Sequence, residues 1–302
     1  MRRVNYLNNR DILKEIHKSK IAYCSFTNPG YSEYDIIIRD LAEIPKLLKG
    51  ENSVAKTARA DRLTKLAQDA ASVDGKKVKV ESVAIDPCTI QDHEVIFRFM
   101  SWGHIPEAPP PPPKVPKNKK TKELVVDEPV EYLETEYDVP VINITIPTKY
   151  MKVNFQPFQH FKLDEQGNLC CVGKSHWLGD IEHGHFSKDH GKITNTLAMM
   201  YMKLCDRYAT RSNWRGYTYV DEMKSTALLQ LSQIGLQFDE SVSSNPFAYY
   251  TMALQNSFTR VLNLEKRNQN IRDDILEMNN LTPSFSRQNS DSHGSDGGYY
   301  EE

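Results

Sequence analysis

Five consecutive prolines, Pro109–Pro113, constrain this chain more than any other stretch. Each fixes its own φ and lacks an N–H donor, so no helix or inner strand can run through them. The stretch EAPPPPPKVPKNKKTKE reads as extended polyproline that passes into Lys114, Lys117, Lys119, Lys120 and Lys122. Asp127, Glu128, Glu131, Glu134 and Glu136 follow. With so few apolar residues, 106–136 is expected to be an exposed linker. Polyproline also suits a partner's aromatic groove, which is the alternative role.

Strand-like patterns lie on both sides of this linker. Tyr34–Arg39 and Lys77–Ile85 are rich in β-formers, and Glu94–Met100 puts Val95, Phe97 and Phe99 on one face. Ser53–Ala71 reads as a helix from its alanines, Leu63 and Leu66. Beyond the linker, Val139–Ile146 alternates Ile142, Ile144 and Ile146 with Asn143 and Thr145. Residues 21–105 and 137–185 are therefore expected to form one mixed α+β module with the proline-rich loop in its middle.

The texture changes from Ile193 onward. Leu197, Met200, Tyr201, Leu204 and Tyr208 recur at helical spacing. Thr218 and Asp221 have the spacing of a capping box before a second helix with the stripe Val220, Met223, Ala227, Leu231 and Ile234. Ser244 and Asn245 offer N-caps, and Pro246 fits the first position of a third helix running to about Arg267. That helix buries Tyr250, Leu254, Phe258 and Val261. The expected architecture is α+β: a mixed module followed by an all-α domain over 191–270. A helical patch at 1–20 precedes both, and a polar, disordered tail is expected over 280–302.

A length of 302 residues suits about two domains. No apolar run reaches the ~18 residues of a membrane span, and the opening MRRVNYLNNRD lacks a secretory apolar core. The five cysteines are scattered, as reduced thiols in a cytoplasm would be. With 38 basic and 40 acidic residues the chain is not a globally basic nucleic-acid coat, although a local basic patch is compatible with that balance.

The stretch CCVGKSHWLGDIEHGHFSKDH offers Cys170, Cys171, His176, His183, His185 and His190 as metal ligands. Adjacent cysteines chelate poorly compared with C-x₂-C, so a polar linker entering the helical domain is the favoured reading and no metal is expected. His183, His185 and His190 with Asn195 also suggest a metal-dependent nuclease, but no rigid frame marks it. There is no phosphate-binding glycine loop, nucleophile elbow or dinucleotide fingerprint, so no cofactor is expected.

The third helix carries Asn256, Thr259, Arg260, Asn263 and Arg267 opposite its apolar stripe. Amides, a hydroxyl and guanidinium groups are what base edges and phosphates require. Phe247, Tyr249 and Tyr250 could seat unstacked bases. An ordinary core helix is the competing reading.

Residues Thr194–Arg267 resemble region 2 of the bacterial primary-sigma family of RNA polymerase specificity factors. The likeness lies in LAMMYMKLCDRY, in YVDEMKSTALLQLSQIGLQFDE and in NPFAYYTMALQNSFTRVLNLEKR. The family's basic-Tyr pair corresponds to Arg207-Tyr208, its Phe-Asp pair to Phe238-Asp239, and its Tyr-x-Thr and Thr-Arg to Tyr249-Tyr250-Thr251 and Thr259-Arg260. NYLNN (Asn5–Asn9), RGYT (Arg215–Thr218) and NPFAY (Asn245–Tyr249) are similar to the late-transcription sigma factors of T-even-like phages.

The resemblance implies a non-enzymatic adaptor in the host cytoplasm, at the nucleoid, that binds bacterial core RNA polymerase and promoter DNA. Asp221, Glu222, Gln230 and Gln233 would face the polymerase clamp helices. Tyr249, Tyr250, Thr251, Asn256, Thr259, Arg260, Asn263 and Arg267 would recognise and open an AT-rich, minus-ten-like late promoter element. The tip Tyr299-Tyr300 would contact a phage sliding clamp, and a late co-activator is a further implied partner. The family's tandem tryptophans fall on Met252 and Ala253, and no helix-turn-helix pattern follows Arg267. The rival readings are an interaction protein displaying a proline loop, and the histidine-based nuclease.

Overall fold

The computed structural model describes residues 8–50, 53–71, 82–109 and 149–288. In chain order, helix α1 (Asn9–Ile21) leads to strands β1 (Cys24–Phe26) and β2 (Ile36–Ile38), then to helices α2 (Ile44–Leu48) and α3 (Val54–Ala71). Strands β3 (Phe97–Met100), β4 (Phe158–Leu163), β5 (Leu169–Ser175), β6 (Trp177–Leu178) and β7 (His185–Phe186) follow. Helices α4 (Asn195–Ala209), α5 (Val220–Ile234) and α6 (Pro246–Met278) come next. The protein is thus mixed α+β. Among the described residues no helix is long and apolar enough to cross a membrane. Two compact units divide it: Met1–Tyr23 with Asp189–Glu302, and Cys24–Lys188.

The second unit is built on a five-stranded sheet of order β1-β5-β4-β3-β2. Only β2 and β3 run parallel, with Ile36 opposite Phe97; the other neighbours are antiparallel. Ile38, Val95 and Phe97 pack with Ile44 from α2, Ala55 and Ala60 from α3, and Ile90. The buried Arg98 guanidinium lies 3.7 Å from the Tyr34 ring centroid and 3.9 Å from that of Phe158, and Arg98 Nε donates to His160 Nε2 at 3.0 Å. His160 Nδ1 is 2.7 Å from the Tyr31 carbonyl, so the proton of the neutral ring sits on Nδ1.

Several local expectations change here. Helix α3 begins where Ser53 Oγ accepts from Lys56 N at 3.1 Å, but it buries Ala55, Ala60 and Thr64 while Leu66 is exposed. The strand read from Glu94 starts only at Phe97, because Asp92–Glu94 forms a 3₁₀ turn. Residues 82–85 are not a strand; 77–81, and the strand read over 139–146, lie outside the described residues. The supposed polar linker after Cys170 is sheet: β5 runs through both cysteines, and β6 pairs with β7. Gly173 explains why no apolar alternation marked β5, since a Cβ there would collide with the Phe26 ring that packs over it.

In the helical unit, α4 buries Leu197, Met200, Tyr201, Leu204, Cys205 and Tyr208. Its N-cap, Thr194, accepts from Leu197 N at 3.2 Å and donates to Glu15 Oε2 of α1 at 2.9 Å. Burial alone would raise the Glu15 carboxyl, but hydrogen bonds from Lys18 and Thr194 outweigh it and hold the pKa down. Lys20, also buried, donates to the Phe238 carbonyl at 2.7 Å and reaches Glu240 at 3.4 Å. Helix α1 is therefore tied into the same core as α4 and α6.

The capping box does not form. Helix α5 starts at Val220, so Tyr219 occupies the N-cap and Thr218 falls outside it; exposed Asp221 pairs with Lys224 at 2.7 Å. Asn245 does cap α6, accepting from Ala248 N at 3.1 Å with Pro246 at the first position. Helix α6 continues beyond Arg267 because no breaker occurs before Asn280, whose φ is +56°. The chain then turns back. Ser284 N and Oγ donate to Asp273 at 2.8 and 2.7 Å, and Arg287 meets Asp274 and Glu277. Disorder from residue 280 is thus corrected for 281–288, and 289–302 lie outside the described residues.

Candidate nucleic-acid interface

An aromatic core fixes how α6 is turned. Tyr208, Trp214 and Phe258 have ring centroids 5.1 to 6.0 Å apart. Tyr201 and Tyr250 meet edge to face at 5.1 Å. Tyr250, Leu254, Phe258 and Val261 are all buried, as their helical spacing requires.

That orientation corrects one DNA-contact assignment. Tyr250 has 0% of its surface exposed and its hydroxyl donates to the Gly235 carbonyl at 2.8 Å. It is a core residue here, because the apolar stripe of α6 runs through it. Tyr249 is half-buried: its hydroxyl donates to the Ile234 carbonyl at 3.1 Å and its ring lies 5.6 Å from that of Phe238. Burial pushes its hydroxyl pKa up to about 12. Thr251, also half-buried, donates back to the Phe247 carbonyl at 2.8 Å.

Thr259, Arg260, Asn263 and Arg267 are exposed, and Asn256 is half-buried. Their spacing of three and four residues makes them one ridge along α6, turned away from the core. Exposed Lys266 adds positive charge beside Arg267, while the far end carries exposed Asp274 and Glu277 against Arg272. Of the two positions where the resembling family has tryptophan, Met252 is exposed and Ala253 is buried. Exposed Phe247 sits at the first turn, its backbone N–H donating to Asn9 Oδ1 of α1 at 3.1 Å.

On α5, Asp221, Glu222 and Gln233 are exposed and Gln230 is half-buried. Leu229, overlooked in the sequence, is 61% exposed on this outward side. Its position off the Met223, Ala227 and Leu231 stripe was the available signal. Tyr299 and Tyr300 lie outside the described residues.

The cysteine and histidine stretch does not converge. Cys170 and Cys171 are successive residues of β5, whose side chains point to opposite faces. His176 is buried, its ring 4.2 Å from Phe155, while His183 and His185 are exposed. In the helical unit His190 packs at 5.7 Å against Tyr23, and Asn195 opens α4. Among the described residues no group of three or more His, Cys, Asp or Glu side chains is placed to hold a metal ion.

One polar cluster in the sheet-bearing unit escaped the sequence reading. Arg59 and Arg62, one helical turn apart on α3, both reach Asp35, whose side chain is wholly buried. The i, i+3 arginines were the only hint, and the distant aspartate gave none. No protein-family model, curated protein or solved structure matches this chain.

Proposed function

We propose that the chain is a sigma factor of the kind that serves late transcription in T-even-like phages. It binds host core RNA polymerase and directs it to an AT-rich, minus-ten-like promoter element. In this reading the helical unit is a region 2-like domain, and the mixed α+β module is carried alongside it. The protein works in the host cytoplasm, at the nucleoid, with no bond-making chemistry of its own. A phage sliding clamp, reached through Tyr299 and Tyr300, and a late co-activator are its further partners.

The observation that carries this reading is the two-sided character of α6. One side is core, and the ridge Asn256, Thr259, Arg260, Asn263 and Arg267 faces outward with the donors that bases and phosphates need. On α5, Asp221, Glu222 and Gln233 around Leu229 form a polar surface with an apolar centre, suited to lie on the clamp helices. Tyr249 is the stacking residue. To leave its place it gives up the hydrogen bond to Ile234, worth about 1 kcal/mol, and the edge contact with Phe238, worth about 0.5–1.5 kcal/mol, against ~1–3 kcal/mol for a stacked base. Met252 offers a smaller apolar contact at the bubble edge than tryptophan would. A net charge of −2 keeps the free chain weak on DNA, so tight binding follows polymerase binding.

The test is co-elution of the full chain with core RNA polymerase at moderate salt, followed by permanganate probing of promoter thymines. A stable complex with reactive thymines is expected. Absence of a complex with the cognate polymerase overturns the reading and leaves the interaction-protein alternative.

A further inference from the structure

The sheet-bearing unit contains a cavity of about 360 Å³ whose lining includes Tyr31, Arg59, Arg62, His93, Glu94 and Lys162. We propose that this cavity binds the phosphate group of a small phosphomonoester. The assignment does not depend on the transcription reading.

Asp35 is the foundation of the site. Its Oδ1 takes Arg62 Nε at 2.6 Å, and its Oδ2 takes Arg59 Nη1 at 3.3 Å and the Ile96 N–H at 2.9 Å. One carboxylate therefore orients two guanidinium groups while engaging a single N–H of each. A guanidinium has five such donors in a rigid fork, so most remain for another acceptor. Among the described residues the buried Arg59 Nε has no hydrogen-bond partner; Glu94 Oε2 stands 4.0 Å away. Lys162 brings a third cation, with Nζ 3.3 Å from Tyr31 Oη and 4.9 Å from that ring's centroid.

Charge and size select the ligand. Arg59, Arg62 and Lys162 share the lining with Glu94, and both carboxylate oxygens of Asp35 are already engaged by Arg59, Arg62 and the Ile96 N–H. The balance over these five groups is positive, and the two forks are held before any ligand arrives, which lowers the cost of binding. Forked donors match the tetrahedral oxygens of a phosphate, and a monoester presents three terminal oxygens to them where a diester presents two. The volume exceeds that of phosphate alone and falls in the small-molecule range, with Tyr31 and Ile96 offering surface to an organic group.

Calorimetric titration of the full chain at fixed ionic strength, with inorganic phosphate and with adenosine monophosphate as probes, tests this. One saturable site is expected, for which the two probes compete. Lys162→Gln, which leaves the Asp35 cluster intact, should weaken both by about tenfold. Glu94→Gln, which removes the carboxylate charge beside Arg59, should tighten both; a purely structural arginine cluster predicts no such gain. Thermal melts without ligand check that both variants fold. Saturation by neither probe overturns the site, as does binding that neither variant moves. Binding of a dinucleotide phosphodiester in place of the monoester overturns the ligand class.

Discussion

Tyr250 and Tyr201 share one chain of hydrogen bonds inside the helical unit. Tyr250 Oη spends its hydrogen on the Gly235 carbonyl at 2.8 Å, so the 3.1 Å contact between the two hydroxyls has Tyr201 as donor. Burial raises both pKa values, keeping both groups neutral donors. Tyr250→Phe leaves a buried carbonyl and a buried hydroxyl unsatisfied and should cost about 1–3 kcal/mol. Tyr201→Phe leaves the Gly235 bond in place and should cost less, about 0.5–1.5 kcal/mol. Urea unfolding of the two variants checks the order. A larger loss for Tyr201→Phe would contradict this assignment of donors.

Gly235 is the floor of this arrangement. A Cβ there would overlap the Tyr201 hydroxyl and come within 2.7 Å of Tyr201 Cζ. Gly235→Ala should therefore destabilise by about 1–3 kcal/mol through overpacking rather than stabilise through helix propensity. Adding Tyr201→Phe removes the closest atom and should recover part of the loss. A double-mutant cycle in urea measures that coupling; strict additivity would contradict the close approach.

In the sheet-bearing unit, His104 predicts an acid-sensitive step. Nε2 lies 3.0 Å from the Ser175 carbonyl, while the buried Nδ1 has no partner among the described residues. Burial is the main reason that its pKa falls from 6.5 to about 4, and nearby Lys174 adds to it. The unfolded chain takes up this proton first as pH drops. The stabilisation is thus complete above about 6.5 and is lost as pH falls towards about 4. His104→Gln keeps a donor for Ser175 and cannot titrate. Its melting temperature should fall less over that window than the parent's, and parallel curves would remove His104 from the account.

Sequence spacing read the helical core well because each buried stripe follows one period. Tyr250 shows the limit, as periodicity put it in the core while the resemblance put it on the DNA, and packing followed periodicity. The length of α6 was hidden by its second half. Leu264, Ile271, Ile275 and Met278 extend the spacing of Leu254 and Val261 but are exposed, so no burial marks them. The sheet was harder still. Strands β1 and β2 have three residues each, and β4 buries His160 between half-buried Gln159 and Phe161, so the core is made by pairing that no local pattern announces. The Asp35 cluster joins residues 24 and 27 positions apart, beyond the reach of any motif.

Tyr249 separates a stacking role from a packing one. Tyr249→Phe removes only the bond to the Ile234 carbonyl and keeps the ring. If Tyr249 swings out to stack on a base, this variant should open promoters at least as readily as the parent, since the competing bond is gone. Tyr249→Ala removes the platform. It should bind polymerase normally yet lose open complex by about 1–3 kcal/mol, read as permanganate reactivity at promoter thymines. On the neighbouring ridge, Arg260→Ala and Arg267→Ala should each reduce the salt dependence of holoenzyme binding by about one phosphate contact. Thymine reactivity unchanged in Tyr249→Ala, with parent-like salt slopes in both arginine variants, would return α6 to the role of a core helix.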